Sequence, residues 1–376
     1  MFINGSILYH SKAIQRNLER FDATATIDLN RFALHLWGRN RYYQFTAQFL
    51  RKENGKNKYT IHLPEDPRGF VGWLPYFNKR WDIATDKLPF KEYCLANGLA
   101  CPAFSASKTD TLPGFLIKRR RSSFGVGIRG PFRKFDSSNA AHLLREGEYY
   151  DQFISGKVGK AWYWNDKLVC CEMRRMSEIA GDGVHTIRHF IEAHLGKYGF
   201  TPEWEDFVDT LEFHGSSLDH VPGDGQCVVA DFRFGSMLMS PDWKNHNVVR
   251  ELRESELGNQ LLKAGPVFWR GIPEEIRQST LYTVDFVVDE EHRAWFLEMN
   301  CNPQVHPDIY PDILEDLLGS PKNIPVGAPT PPAQVSSPPI HQYPGQGAQL
   351  LPFNQPPTLG QPGSAFNQAY VFPPKP

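Results

Sequence analysis

The 376-residue sequence predicts an α+β fold built mainly on antiparallel sheets. Short apolar runs that suit strands precede, interrupt and follow two helical patterns, without the regular strand–helix–strand alternation of a parallel sheet. A sharp change of composition near Ser320 marks the end of this ordered part. The pattern therefore predicts a small N-terminal domain of undefined topology over residues 1–84, an α+β domain over residues 85–320, and a tail over residues 321–376.

Two helices are predicted in the central domain. The first begins after Asp86, a suitable N-cap, and ends near Gly98, which suits a left-handed stop. The second is HTIRHFIEAHL (185–195), where Ile187 and Ile191 recur on one apolar face.

Two strand pairs are predicted between these helices. FLIK (115–118) and GIRGPFRKF (127–135) form the first pair, joined by a basic, glycine-containing loop. AWYWNDKLVCCEM (161–173) forms the second pair, with its turn at Asn165-Asp166. Adjacent strands with short connections are expected to pair antiparallel.

The tail holds 15 of the 30 prolines and only two charged residues, Lys322 and Lys375. Such a segment cannot bury enough apolar surface to offset its chain entropy, so disorder is predicted. The alternative is a docking peptide for a protein partner, because PTPP (329–332) and PPKP (373–376) have the PxxP spacing.

The bulk composition excludes some classes of partner. With 41 basic and 42 acidic residues, the net charge of −1 gives no general attraction to nucleic acid or to an anionic membrane. No apolar run approaches the ~20 residues that span a bilayer, and the N-terminus lacks a signal-peptide pattern. Six cysteines without a CxxC pair indicate reduced thiols and a cytoplasmic location.

The segment LYTVDFVVDEEHRAWFLEMNCNP (281–303) predicts a hairpin with one polar face. If it turns at DEEH, Asp285 lies opposite Glu298 and Thr283 lies opposite Asn300. Two opposed carboxylates repel unless a positive charge lies between them, and Mg²⁺ or Mn²⁺ would be held by such oxygen ligands. The alternative is a solvent-exposed face on which the opposed acids are tolerated.

The same register makes two predictions about the aromatic residues of the hairpin. Phe286 is expected opposite Leu297 on the apolar face, and Phe296 is expected on the polar face with the carboxylates.

The stretch FLIKRRRSSFGVGI (115–128) predicts a phosphate-binding loop. Glycines at 125 and 127 let backbone N–H groups approach an anion, and the hydroxyl groups of Ser122 and Ser123 add donors. Lys118, at the end of the strand, can neutralise a phosphate. The alternative is an exposed basic turn, but a metal site and a phosphate loop together favour a nucleotide.

These stretches resemble the ATP-grasp superfamily of carboxylate–amine ligases, in particular its cyanophycin synthetase and D-alanine–D-alanine ligase branch. The resemblance covers residues 85–318. It is carried by five segments: ATDKLPFKEYCLANGLACP, FLIKRRRSSFGVG, DQFISG, EMRRMSEIAGDGVHTIRHFI and DFVV…FLEMNCNP. It implies a fold of two α+β lobes that grip ATP between antiparallel sheets, and the making of an amide through an acyl phosphate.

The resemblance also implies roles for individual residues. Lys87 and Lys118 would contact the ATP phosphates together with Ser122, Ser123, Gly125 and Gly127. Asp285, Glu298 and Asn300 would bind two Mg²⁺ ions. The chain at Gln152, Phe153 and Ile154 would hold the adenine.

On the acceptor side, the resemblance implies that Arg175 and the loop of Gly181, Asp182, Gly183 and His185 border the substrate. Thr283 stands where the family often has an arginine before the metal-binding aspartate, and Arg233 is the candidate to supply that charge. The catalytic candidates are therefore Lys118, Arg175 and Arg233.

His306 follows the hairpin and is a candidate for orienting a substrate carboxylate, with a solvent-facing loop histidine as the alternative.

The substrates expected are a small-molecule or peptide carboxylate and an amine, and the family analogy suggests a homodimer. Two alternative functions stay open. One is an ATP-grasp kinase that phosphorylates a small molecule, and the other is a non-catalytic ATP-binding scaffold that uses its proline-rich tail.

Overall fold

A computed structural model describes residues 3–53, 56–64, 67–107, 112–122, 125, 127–238, 247–322 and 350–352. The α-helices within these ranges are α1 (Ile3–Leu18), α2 (Lys87–Ala96), α3 (Ile187–Gly196), α4 (Glu205–Phe213), α5 (Val249–Leu252), α6 (Glu256–Arg270), α7 (Glu274–Arg277) and α8 (Tyr310–Leu318).

The strands, in chain order, are β1 (Ala23–Asp28), β2 (Ala33–Gly38), β3 (Arg41–Glu53), β4 (Lys56–Thr60), β5 (Pro67–Leu74), β6 (Phe104–Ser105), β7 (Phe115–Arg119), β8 (Arg129–Phe132), β9 (Glu148–Gln152), β10 (Lys157–Trp164), β11 (Lys167–Arg174), β12 (Ser177–Ala180), β13 (Cys227–Asp231), β14 (Leu281–Val288), β15 (Ala294–Cys301) and β16 (Leu350–Pro352). Every recorded strand pair is antiparallel. The predicted α+β class with antiparallel sheets is confirmed.

The chain folds into two compact units. The first unit comprises Met1–Asn78 together with Gln304–Pro376, and the second comprises Lys79–Pro303. This division differs from the predicted boundaries at residues 84 and 320. The difference arises because residues after the hairpin return to the N-terminal sheet: the backbone N–H of Val305 donates to the carbonyl of Val71 at 2.8 Å. The hydroxyl of Tyr310 also accepts a hydrogen bond from the backbone N–H of Trp73 at 3.1 Å.

The first unit is one antiparallel sheet with helices α1 and α8. Its strand order is β16-β1-β2-β3-β4, and β5 pairs with the other edge of the long strand β3. Phe45, Phe49 and Trp73 are among its most buried side chains. The sequence did not reveal this topology, because a run of aromatic residues suits strands and helices alike.

The tail prediction can be compared with the structure at few positions. Residues 350–352 form the short strand β16, which pairs with β1 through Thr26↔Pro352, so these three residues depart from the predicted disorder. Residues 323–349 and 353–376 lie outside the described part of the chain, and both PxxP segments fall there.

The described residues of the second unit form two four-stranded sheets and a two-stranded one. The strand orders are β11-β10-β14-β15, β6-β9-β7-β8 and β12-β13. Helices α2 and α6 pack with the first of these sheets around a core that includes Phe90, Phe268 and Phe286. Helices α3 and α4 pack against β12 and β13 in a separate core around Ile191 and Leu211.

The predicted helices and turns of the second unit are confirmed. The carboxylate of Asp86 accepts a hydrogen bond from the N–H of Leu88 at the start of α2, and Gly98 has a φ of 70° just beyond its end. The hydroxyl of Thr186 accepts from the N–H of His189 and so caps α3. Asn165 follows β10 with a φ of 55°, at the turn predicted for the strand pair β10–β11.

In the part of the chain that the structure describes, none of the helices has both the length and the apolar character needed to cross a membrane.

Candidate active site

The hairpin β14–β15 brings the predicted metal ligands together. Asp285 lies opposite Glu298 and Thr283 lies opposite Asn300, as the predicted register requires. The amide nitrogen of Asn300 donates to Oδ2 of Asp285 at 3.3 Å. The side chains of Asp285 and Glu298 are each 22% exposed, so both carboxylates can be reached from solvent.

The register prediction is wrong beyond Asp285, where a β-bulge shifts the pairing. Phe286 lies opposite Phe296 instead of Leu297, and Phe296 leaves the polar face for the apolar core. Its ring meets that of Phe268 edge-on at 5.1 Å. The extra residue of a bulge changes which face later side chains occupy, and burying a phenylalanine is favourable. Phe296 therefore does not share a face with the carboxylates.

Each carboxylate of the pair contacts a lysine. The ammonium group of Lys87, at the start of α2, lies 2.8 Å from Oε2 of Glu298, and Lys160 of β10 contacts Asp285. Strand pairing aligns Glu172, Lys160, Asp285 and Glu298 in one row across the sheet. Each of the two opposed carboxylates is thus paired with one ammonium group, which offsets the repulsion between their negative charges.

The two carboxyl groups titrate differently as a result. Burial raises the pKa of Asp285, an effect that Lys160 opposes and that Glu298 reinforces. Burial also favours the neutral form of Glu298, but the ammonium groups of Lys87, Lys160 and Lys118 outweigh it, so the pKa of Glu298 is lowered. Glu298 is therefore the stronger candidate for a permanently charged ligand.

The donor set fits a hard divalent cation. Asp285, Glu298 and Asn300 offer carboxylate and amide oxygens, which Mg²⁺ and Mn²⁺ prefer to nitrogen or sulfur. Among the described residues there is no group of three or more His, Cys, Asp or Glu side chains that could hold a metal ion. A cation held here would rest on two carboxylates and an amide, with remaining positions for oxygens of a substrate, as is usual for Mg²⁺ beside phosphates.

The predicted phosphate loop follows β7. Ser122 accepts hydrogen bonds from the ammonium group of Lys87 through its carbonyl at 2.8 Å and its hydroxyl at 3.2 Å. Gly125 and Gly127 have φ values of 70° and 75°, which explains why glycine suits both positions. Ser123 lies outside the described residues. Lys87 thus links the loop to Glu298, and the predicted phosphate and metal residues share one region.

Lys118 is more enclosed than the sequence suggested. Its residue is 8% exposed, and its ammonium group lies 2.7 Å from Oδ2 of Asp151 on the neighbouring strand β9. Oδ1 of the same carboxylate lies 2.7 Å from the ammonium group of Lys91.

The predicted adenine segment lies at the end of β9. The backbone N–H of Gln152 donates to the carbonyl of Ala103 at 2.8 Å, and the side-chain oxygen of Gln152 accepts from the N–H of Ala103 at 3.3 Å. The ring of Phe153 is buried against Phe213 and Phe232 at 4.8 and 5.4 Å. Phe153 can therefore offer an adenine only its backbone, whereas Ile154 is half-buried.

The two predicted arginines occupy different surroundings. Arg175 is exposed after β11. Arg233 lies 2.9 Å from Asp206 and 3.7 Å from Asp231, so its charge is already balanced by two carboxylates. A Cβ atom on Gly125 would lie 3.9 Å from Cδ of Arg233, which brings this arginine close to the glycine loop.

The GDG loop is a tightly bonded turn after β12. The carboxylate of Asp182 accepts from the N–H groups of Val184 and His185 at 2.9 and 2.8 Å, and it contacts the His185 ring at 2.6 Å. These contacts, with the His185 ring first, lower the pKa of Asp182. A Cβ on Gly181 would lie 2.4 Å from the carbonyl of Pro222, so only glycine fits there. The recorded hydrogen bonds of Gly181 and Gly183 run to residues 222–226.

His306 belongs to the first unit, whereas every other predicted site residue belongs to the second. Its Nδ1 accepts from the N–H of Asp308 at 3.2 Å and caps the short 3-10 helix Pro307–Ile309. This contact gives the residue a structural role. Its predicted role toward substrate stays a prediction.

Sequence reasoning missed several charged residues that accompany the site. Lys160 and Glu172 belong to the charged row, and Arg174 lies 3.0 Å from Glu172 with its guanidinium 4.5 Å from the ring of Phe234. A signal existed: Lys160 is a half-buried charge in the otherwise apolar end of the strand KVGKAWYW. Its partner could not be named, because the pairing of β10 with β14 joins strands about 120 residues apart.

A curated protein that the chain is similar to is a glutathione biosynthesis protein, and the solved structures that it is similar to include a glutathione synthetase and D-alanine–D-alanine ligases. The chain matches no protein-family model.

Three of these similar proteins show how far the similarity extends in identity and in coverage. A glutathione biosynthesis bifunctional protein of Listeria welshimeri is 28% identical over 112 residues, which is 28% of this chain and 14% of that protein. A bifunctional glutathione synthetase from Pasteurella multocida has a TM-score of 0.39 and 13% identity, over 82% of this chain and 43% of that one.

The third is the D-alanine–D-alanine ligase of Bacillus anthracis complexed with ATP, with a TM-score of 0.32 and 13% identity over 63% of this chain and 66% of that one. The chain thus spans less than two thirds of the length of each of these proteins.

Proposed function

We propose that this protein is an ATP-dependent carboxylate–amine ligase that forms an amide bond through an acyl phosphate and releases ADP and phosphate. One observation carries the proposal: Asp285 and Glu298 lie opposite each other on adjacent strands, within reach of solvent, and each contacts a lysine ammonium group. Such an arrangement suits the exchange of lysine contacts for a divalent cation and the phosphates that accompany it.

The chemistry requires charge compensation more than covalent help from the protein. A substrate carboxylate oxygen attacks the γ-phosphorus of ATP, the bond to ADP breaks, and an acyl phosphate forms. An amine then attacks the acyl carbon, phosphate leaves, and the amine loses a proton. Mg²⁺ bound by Asp285, Glu298 and Asn300 would neutralise charge on the β- and γ-phosphates.

The chain's own groups would hold the nucleotide in place. Lys87 already contacts both Glu298 and Ser122, so its ammonium group lies where it would pair with a phosphate of the nucleotide. The glycines at 125 and 127 leave room for a phosphate to approach the backbone. Arg233 lies near Gly125 and Arg119 lies near Gly127, so both would add positive charge near the loop.

The substrates proposed are an amino acid, a peptide or a similar small carboxylate, with an amine as acceptor. The similar proteins are named for glutathione and for D-alanine–D-alanine, which are built from amino acids by amide bonds. The proposal includes a cytoplasmic location, in keeping with six free cysteines in the described residues. A homodimer and a protein partner of the tail stay predictions.

The proposal is tested by replacing Glu298→Gln, which keeps the size of the side chain and removes its charge. Phosphate release is screened with Mg·ATP and pairs of carboxylates and amines, and products are identified by mass spectrometry. Loss of a charged ligand at the reacting phosphates should lower turnover by at least about a hundredfold. Glu290→Gln, in the exposed turn of the same hairpin, is the matched control and should leave turnover unchanged.

Unchanged turnover in Glu298→Gln would remove the metal assignment. The product separates the alternatives. A ligase releases phosphate in proportion to amide only when both substrates are present, whereas a kinase yields a phosphorylated product without an amine. Nucleotide binding without any turnover, seen as thermal stabilisation, would favour the scaffold.

A further inference from the structure

Three residues form a buried charge cluster beside the candidate nucleotide site: Lys91 of α2, Lys118 of β7 and Asp151 of β9. Both ammonium groups lie 2.7 Å from the Asp151 carboxylate, Lys91 at Oδ1 and Lys118 at Oδ2. The side chains of Lys91 and Asp151 are fully buried, whereas that of Lys118 is 10% exposed. The cluster thus holds two positive charges and one negative charge, and only one of its members reaches solvent.

Lys91 is fixed by more than its ion pair. Its ammonium group donates to the carbonyl of Pro102 at 3.3 Å and lies 5.6 Å from the centre of the Phe104 ring. A lysine buried in this way loses its hydration and is held by a carboxylate, a carbonyl and a ring face together. Lys91 is therefore a fixed charge that cannot itself reach a ligand in solvent.

The second lysine changes what Lys118 can do. A carboxylate paired with Lys118 alone would cancel the charge of Lys118, because one ammonium and one carboxylate sum to zero. With Lys91 on the other oxygen, the cluster keeps a net positive charge, and Lys118 is the member that can present it.

We propose that Lys91 is a positioning residue for nucleotide binding: by holding Oδ1 of Asp151, it leaves Lys118 with an uncompensated charge for the phosphates of ATP. This inference rests on the proposed function, since it assigns a partner to a lysine of that site. Lys91 touches no substrate; it acts through Asp151, which fixes the position of Lys118.

The test measures the dissociation constants of ATP and of adenosine by calorimetry, at a temperature well below unfolding. Lys91→Met leaves Asp151 to neutralise Lys118, and ATP should bind at least about tenfold more weakly, the effect of losing one partly screened charge near a phosphate. Adenosine has no phosphates, so its affinity should stay unchanged. Lys91→Arg keeps the charge and should restore ATP affinity to within about threefold of the unaltered protein.

A purely structural role for Lys91 makes a different prediction. Lys91→Met would then lower the unfolding temperature, while the folded protein would bind ATP as before. Glu148→Gln is the matched control: it removes another buried carboxylate of β9, the partner of Arg129, and should change stability without changing ATP affinity. If Lys91→Met does not fold, Lys91→Gln replaces it, because an amide can still donate to Pro102 and Asp151 without a charge.

Two failures are distinguishable. If the unaltered protein does not bind ATP, the proposed function fails and the inference fails with it. If the unaltered protein binds ATP and the folded Lys91→Met or Lys91→Gln variant binds it equally well, only the role of Lys91 is overturned. Equal losses of ATP and adenosine affinity would also overturn it, because they would show a disturbed adenine segment instead of a lost charge.

Discussion

His10 of α1 is a buried histidine whose tautomer follows from its neighbours. Its Nδ1 lies 2.8 Å from the hydroxyl of Tyr310, and that hydroxyl already accepts from the backbone N–H of Trp73. The hydroxyl proton is therefore free to be donated to His10, which requires an unprotonated Nδ1. Burial, with a smaller contribution from His306, lowers the pKa of His10 to about 3.

This histidine should make the first unit sensitive to acid. In the unfolded chain this histidine takes up a proton below a pKa of about 6.5, whereas in the folded protein it resists protonation. Its contribution to the free energy of unfolding is therefore fully present above that pH and decreases as the pH falls. The expected slope is about 1.4 kcal/mol per pH unit. We expect urea unfolding between pH 6.5 and 5, above most carboxyl titrations, to show it.

His10→Gln, which keeps a polar side chain without a titrating ring, is the control and should reduce the slope by about this amount, while His35, His194 and His214, whose pKa values burial also lowers, keep contributing. A slope that is the same in both proteins would show that other groups are responsible.

Some individual residues of the candidate site could be predicted from the sequence and others could not. Asp285, Glu298 and Asn300 could be placed together because a short turn joins their strands and side chains alternate. Lys160, Lys91 and Asp151 could not, because their partners lie on elements whose neighbours are set by the sheet order. A charged residue inside an apolar element signals that a partner exists, but not which one.

At the scale of elements, β10 and β14 approach closely at Gly159. Gly159 lies opposite Phe286, and a Cβ on Gly159 would lie 2.3 Å from Cζ of that fully buried ring. Gly159→Ala should therefore overpack the core and lower the free energy of unfolding by about 1–3 kcal/mol. Urea unfolding measures this change.

Gly196→Ala, at the end of α3, is the comparison because a Cβ there would meet no atom within 4 Å, so its effect should stay within about 0.5 kcal/mol. The double variant Gly159→Ala with Phe286→Leu should recover part of the loss. An unchanged midpoint in Gly159→Ala would mean that the ring can move aside without cost.

The elements themselves show which sequence signals are dependable. Helix α2 was predicted from the signals at its ends and α3 from its apolar spacing. Asp86 forms the expected cap of α2, whereas the cap of α3, Thr186, was not predicted. The bulge after Asp285 was missed because simple alternation contains no information about an inserted residue. Only the burial of Phe296 among other aromatic rings decides that its strand shifts there.

At the scale of the whole molecule, the two ends of the described chain build one unit. Tyr310 and His10 are 300 residues apart in sequence and share a hydrogen bond. The guanidinium of Arg39 donates to the carbonyl of Leu318 at 3.0 Å, and Lys322 donates through its backbone N–H to the carbonyl of Arg20 at 2.7 Å. The change of composition near residue 320 could not show that residues 304–322 pack with the N-terminal sheet.

We expect the folded part of this segment to end at Lys322. The ammonium group of Lys322 also lies 3.1 Å from Asp22, so the chain is held at this residue. The composition of the following residues predicts disorder, which makes them accessible to proteases. Proteinase K should therefore cut first within residues 323–349 and 353–376, and mass spectrometry should find a fragment that ends near residue 322.

Loss of the tail should cost little stability, because the three-residue strand β16 forms few hydrogen bonds at the edge of its sheet. The fragment should unfold within about 2 °C of the intact chain, which corresponds to a change of roughly 1 kcal/mol for a protein of this size. It should also keep its ATP affinity, since the candidate nucleotide residues lie in the second unit. A tail that resists the protease would contradict the predicted disorder and indicate that the tail is bound to a folded surface.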